Sequence, residues 1–360
     1  MFLFQFFRSF LPLHNPIGFG ASDFIELTFA LLLVLLAIAR RPWLEPYAQR
    51  LAGKTGWCMI GLAALPVVLR LLLVFHHSIP VPTVSDEFSH LLVADTLLHF
   101  RLANPPHLMH QFFETYFVLQ EPTYSSLYAI GQGMALAIGR LIFGHPWAGV
   151  ALSVAAFCSL CHWMLRAWTT SGWALLGGLL VVFEFGPLNQ WMNGYWGGAV
   201  SAAAGCLVFG TLPRLRESTR LRDAALLGLG LALQLLSRPY ESIFLVASVL
   251  LFFLPVLRQR EEVRRLARAV PVVVLVALPA IVITLTQNKQ VTGSWTTLPY
   301  ALSRYQYGVP TTFTFQPNPV PDRGLTTEQH LGYKVQVRVQ GEGPETISTY
   351  LERLGQRVRF

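Results

Sequence analysis

Long apolar runs punctuated by short basic or aromatic stretches dominate this chain. The runs at 24–39, 56–75, 147–165, 173–188, 197–212, 224–236, 243–257 and 270–285 approach or reach the ~20 residues a helix needs to cross a bilayer. The pattern predicts an all-α polytopic membrane protein with seven or eight crossings. A shorter run at 128–143 is interrupted by Gly131, Gly133, Gly139 and Arg140. Residues 83–100, "TVSDEFSHLLVADTLLHF", place two adjacent carboxylates at the start of a predicted helix, with Ser85 as its N-cap and Phe88, Leu91 and Leu92 on one apolar face.

Composition agrees with this reading. The 360 residues are 53% hydrophobic and 13% charged, against about 25% charged in ordinary soluble domains, and the mean hydropathy is +0.47. A net charge of +8 raises the prospect of nucleic-acid binding, but the arginines cluster at the ends of apolar runs, so they read as topology signals. Cys58, Cys158, Cys161 and Cys206 all lie within apolar runs and read as buried thiols. The first twenty residues lack a small-residue cleavage site before the first apolar run, so an uncleaved amino terminus is expected.

Basic clusters set the expected orientation. Arg40, Arg41, Arg50 and Lys54 place the first connection in the cytoplasm, which sends residues 76–122 to the outer face. The later clusters, Arg166, then Arg214 to Arg222, then Arg258 to Arg268, all return to the cytoplasm only if 123–143 is a re-entrant or surface helix. Three segments then share the outer side with Asp86 and Glu87: 189–196, 238–241 and everything after Asn288. The expected domains are a transmembrane part, 1–287, and a short, irregular extramembrane segment, 288–360.

Asp86 and Glu87 have two readings. In a first helical turn they are stabilised by the helix dipole by about 0.3–1 kcal/mol; at a membrane border an ionisable group is also a functional candidate, and a carboxylate there can act as a general base. Six histidines crowd the same loop, with Asp86/His90 and Asp95/His99 each four apart. Hydrogen-bonded or interfacial histidines are expected rather than a metal site, because a single Glu87-x-x-His90 supplies too few ligands.

The segments "SDEFSHLLVADTLLHFRLANP", "EPTYSSLYAIGQG", "FGHPWAGVALS", "NQWMNGYWGGAV" and "LSRPYES" resemble, in order and expected sidedness, the integral-membrane glycosyltransferases of the GT-C fold, especially protein O-mannosyltransferases and bacterial aminoarabinose transferases. The likeness covers about residues 55–310. It implies inverting transfer of a sugar from a polyprenyl-phosphate donor to an acceptor hydroxyl or lipid at the outer, in bacteria periplasmic, face of the plasma membrane. Asp86 matches the family's catalytic carboxylate, with Glu87 supporting it.

The donor phosphate needs a cationic partner, and Arg238 suits it, unless it is an interfacial arginine reaching for headgroups; Tyr240 and Glu241 would contact the sugar or anchor Arg238. The remaining cavity candidates are His90, Tyr124, Tyr128, Gln132, Glu184, Asn193, Tyr195 and Trp196. Tyr195 and Trp196 also suit an aromatic belt, and Glu184 a structural hydrogen bond. Gly197-Gly198 and the small residues that follow read as close helix packing.

Two features depart from the family: Tyr128 is followed by Ala129-Ile130-Gly131 rather than paired prolines, and 288–360 is shorter than the usual continuation, as in a truncated version. No cofactor or metal is expected, since "NQWMNGYW" lacks the acids with which oligosaccharyltransferase relatives hold a divalent ion. The alternative class is non-enzymatic: a transporter or flippase of lipid-linked glycans, or a scaffold of the same fold. A transporter would be expected to show repeat symmetry, which the sequence lacks.

Overall fold

A computed structural model describes residues 27–28, 31–32, 34–36, 38–112, 117–308, 313, 315–317, 319–340 and 344–359. The amino-terminal twenty residues, and with them the expectation of an uncleaved terminus, lie outside the described residues, as does part of the 24–39 run. The chain forms two units, Met1–Gly53 with Glu345–Phe360, and Lys54–Pro344. The first contains α1 (Arg41–Ala52) and α14 (Ile347–Arg359).

The second unit holds α2 (Thr55–Leu72), α3 (Ser85–Leu98), α4 (Ile130–Phe143), α5 (Pro146–Leu165), α6 (Ser171–Phe185), α7 (Ala199–Glu217), α8 (Leu221–Ser237), α9 (Pro239–Phe253), α10 (Arg260–Ala267), α11 (Val270–Thr292), α12 (Pro299–Tyr307) and α13 (Thr327–Gln340). The sole sheet among the described residues is antiparallel, β1 (Val118–Leu119) with β2 (Ser125–Ser126). The protein is thus an all-α membrane protein. Among the described residues, four helical stretches are long and apolar enough to cross a membrane: Thr55–Leu72, Pro146–Leu165, Pro239–Val256 and Arg260–Thr292. The other predicted runs with described residues also fall on helices.

Helix α5 packs against α2, α4, α6 and α7; α7 packs on α8, and α8 on α9 and α11. The core lies along α5, where Val154 and Cys158 are fully buried with Val182 of α6 and Met192. At Gly139 and Gly149 the backbones of α4 and α5 touch, since a Cβ on Gly139 would stand 2.1 Å from the Gly149 nitrogen. Only glycine permits that approach. Helix α4 has 14 residues, about 21 Å, well short of the ~30 Å hydrocarbon thickness.

Two sequence expectations need correction. The segment 288–360 is not irregular, because α12, α13 and α14 lie in it and α11 runs through residue 288. Proline in the first turn of α12 and Gly308 at its C-cap delimit a helix whose polar composition hides it from a search for apolar runs. Ser85 is not the N-cap of α3 but its first helical residue; Val84 occupies the cap, and Glu87 does the capping by reaching back to the Thr83 and Val84 nitrogens.

Candidate active site

The start of α3, the β2–α4 connection, the 187–198 loop and the α8–α9 junction converge on a cavity of about 460 Å³. Asp86, His90, Tyr128, Trp191, Trp196 and Arg238 line it. The Tyr128 hydroxyl donates to Asp86 Oδ1. Asp86 Oδ2 makes no hydrogen bond among the described residues. Tyr128 is itself held by backbone contacts: its N–H donates to Ser126 Oγ at 3.0 Å, and its carbonyl accepts from Gln287 Nε2 at 3.2 Å. Ser126 Oγ lies 2.6 Å from Ser89 Oγ of α3, so the hairpin and the acidic helix are tied together beneath the site.

Burial, followed by the charge and hydrogen bond of Asp86, pushes the Tyr128 phenol well above its ordinary range, so it stays protonated and donating. His90 stacks on the Tyr128 ring with centroids 4.4 Å apart. It is 8% exposed, and its Nδ1 has no hydrogen-bond partner. Burial, and secondarily the Arg238 charge, lowers its pKa from 6.5 to about 3. At neutral pH this imidazole is uncharged. Asp86 does not pair with it; Asp95 and His99, also four apart, do approach to 3.6 Å on the exposed face.

The two adjacent carboxylates differ sharply. Glu87 is 4% exposed, with Oε2 accepting from the Thr83 nitrogen at 2.8 Å and Oε1 accepting from the Tyr195 nitrogen at 2.8 Å. Its side chain joins the beginning of α3 to the loop before α7. A Cβ on Gly194 would come within 2.9 Å of Oε1, so the loop residue there is pressed against the carboxylate. Glu87 is occupied with structure, and Asp86 keeps an unengaged oxygen.

Arg238 lies at the junction of α8 and α9, where it closes one helix and opens the next. It also lines a second cavity of about 350 Å³, which it shares with Tyr128 and which Tyr240, Glu241, Phe244, Tyr300 and Phe313 help to wall. The two cavities therefore adjoin at Tyr128 and Arg238. Glu241 accepts from Arg238 Nη1 at 3.4 Å with both side chains about half exposed, a weak tie in solvent. Tyr240 meets Tyr300 edge-on at 6.1 Å.

Several predicted cavity residues fall elsewhere. Tyr195 is 2% exposed beneath the floor, its hydroxyl donating to the Pro80 carbonyl at 2.8 Å. Gln132 is buried behind it and donates to the Tyr195 carbonyl at 3.1 Å. Tyr124 pairs with Asn104 in an isolated bridge away from both cavities. Glu184 is exposed on α6 and lines neither cavity. Asn193 borders the first cavity, but its amide is committed to the Pro187 and Asn189 carbonyls. Gly197 and Gly198 have φ of +86° and +115° and lie on the cavity wall. They turn the chain into α7, a backbone requirement, rather than allow two helices to pack closely.

Arg70 went unnoticed in the sequence. It is 1% exposed near the end of α2, donates from Nε to Asn193 Oδ1 at 2.7 Å and from its two terminal nitrogens to the His77 and Ser78 carbonyls at 2.9 and 2.8 Å, and lies over the Trp147 ring. The available signal was a lone ionisable residue inside an apolar run, "VVLRLLL". Among the described residues no three His, Cys, Asp or Glu side chains are grouped to hold a metal. No protein-family model, curated protein or solved structure matches this chain.

Proposed function

We propose that this protein is a membrane glycosyltransferase of the GT-C type, transferring a sugar with inversion from a polyprenyl-phosphate donor to an acceptor hydroxyl at the extracytoplasmic face. The observation that carries the reading is that Asp86 and Arg238 wall one cavity, although 151 positions separate them in the sequence.

In this mechanism the acceptor hydroxyl hydrogen-bonds to the unengaged Oδ2 of Asp86 while Tyr128 holds Oδ1. Asp86 takes the hydroxyl proton as the acceptor oxygen bonds to the anomeric carbon. The bond from that carbon to the phosphate oxygen breaks on the opposite face, and polyprenyl phosphate leaves with its charge met by Arg238. Attack opposite the leaving group inverts the centre. His90 is not the base, since its imidazole is buried against Tyr128. The adjoining aromatic cavity at Tyr240, Phe244 and Tyr300 accommodates the first isoprene units of the donor.

The test uses purified full-length protein in lipid nanodiscs and a panel of polyprenyl-phosphate-linked hexoses and pentoses, with release of polyprenyl phosphate as readout. Wild type releases it from at least one donor, and Asp86→Asn does not. Turnover unchanged in Asp86→Asn removes the proposal.

A further inference from the structure

A third cavity of about 550 Å³ lies between α8, α9, α10 and α11, remote in sequence from Asp86 and wholly unlike the first. Leu227, Leu231, Val249, Phe253, Leu266 and Val273 represent its lining, which is apolar throughout. Two of the helices that form it, α9 and α11, belong to stretches apolar enough to cross a membrane, so the cavity opens among segments whose natural surroundings are acyl chains.

The outward side of α10 has the opposite character. Helix α10 turns Val263 and Leu266 into the cavity and leaves Arg260 and Arg264 exposed. The segment 258–268 carries five arginines against two glutamates. One of the five, Arg265, is engaged with Glu262 at 2.6 Å and with the Arg216 carbonyl at 2.6 Å. Arg258, Arg260, Arg264 and Arg268 are exposed and pair with no carboxylate among the described residues. Exposed guanidinium groups on a short amphipathic helix that also lends Val263 and Leu266 to an apolar cavity match a molecule with an anionic head and a hydrocarbon tail.

We infer that this cavity binds one anionic phospholipid from the leaflet, an acyl chain between α9 and α11 and the headgroup phosphate on the free arginines of α10. A zwitterionic lipid supplies the tail but cancels the attraction; a soluble phosphate supplies the charge but leaves the apolar lining unfilled. The headgroup and the chain therefore have to act together, and this gives the site its signature.

The experiment is native mass spectrometry of the full chain in uncharged detergent, titrated with dioleoyl phosphatidylglycerol, dioleoyl phosphatidylcholine and the short-chain dihexanoyl phosphatidylglycerol. One dioleoyl phosphatidylglycerol per chain is retained in preference to the other two. Arg260→Gln with Arg264→Gln weakens that retention by about fivefold for each arginine removed. Val249→Trp, which narrows the cavity and leaves the arginines in place, weakens it as well. Equal retention of the phosphatidylcholine, or short-chain lipid binding as tightly as the long-chain lipid, overturns the inference on wild-type protein alone, whether or not Val249→Trp folds. Because the readout is retained lipid and not sugar transfer, its failure leaves the proposed activity untouched, and the converse holds too.

Discussion

The carboxyl end and the middle of α8 border cavities of opposite construction. At its carboxyl end, Arg238 faces a polar cavity with Asp86, Tyr128 and His90. Around its middle, Leu227 and Leu231 face a cavity with no charged residue in its lining, while exposed arginines lie on the neighbouring α10. In the first, ionisable groups are brought inside and restrained: Tyr128 grips one oxygen of Asp86, and Glu87 is consumed by backbone donors. In the second, charge is kept outside and left free. Preorganised charge within a cavity suits chemistry, where a group must be ready before the transition state forms. Free charge around an apolar recess suits recognition of an amphiphile. The same helix thus borders both the cavity proposed for reaction and the one proposed for a lipid.

The largest effects are expected where the adjacent carboxylates are told apart. Asp86→Asn should lower transfer by about 10²–10⁴-fold with little change in melting temperature. Glu87→Gln should do the reverse, costing about 1–3 kcal/mol of stability by spoiling a buried, multiply bonded carboxylate and reducing turnover far less. Matching losses of activity in the two variants would erase the distinction between them. Next comes Arg70→Met, which leaves the His77 and Ser78 carbonyls and Asn193 Oδ1 without their donor; about 3 kcal/mol of stability should go, read as a fall in thermal midpoint. An unshifted midpoint would show that water replaces the guanidinium.

Arg238→Gln should raise KM for the donor by about 10- to 100-fold, the worth of one hydrogen bond to a charged group. Steady-state kinetics with the lipid donor measures it, and a KM equal to wild type would move the phosphate elsewhere. The smallest effect concerns pH. The folded pKa of His90 is depressed, to about 3, below its unfolded value of 6.5. The unfolded chain therefore binds the extra proton between those values, and the stabilising contribution is present above pH 6.5 and lost as pH falls toward 3. It amounts to about 2 kcal/mol by pH 5. Melts of His90→Phe, which preserves an aromatic stack on Tyr128, should decline less than wild type between pH 7.5 and pH 5; parallel declines would contradict the buried neutral imidazole.

Much of this architecture was legible from spacing. Apolar runs become helices because a bilayer-length hydrocarbon segment has no other way to satisfy its backbone, and the glycines within 128–143 marked a helix that is indeed short. Expected sidedness and the family resemblance group Asp86 with Arg238, and both line one cavity. What escaped was whatever depends on backbone partners. Glu87 gave no sign that Tyr195, 108 positions on, would donate its amide to it. Ser85 looked the better cap than Val84, because residue type cannot register that a glutamate three positions after the cap would do the work. Gly197 and Gly198 looked like packing residues because positive φ leaves no trace in composition. Helices α12 and α13 were missed since neither carries a long apolar stripe.

The touching backbones of α4 and α5 have a further consequence, in how the gene can vary. Any change in the first or second base of a glycine codon adds a side chain or stops the chain, and at residues 139 and 149 even a methyl group would intrude on the facing main chain at 2.1 and 1.9 Å. A saturating mutational scan should find both codons silent only at their third base, and no second-site change confined to side chains should rescue either one.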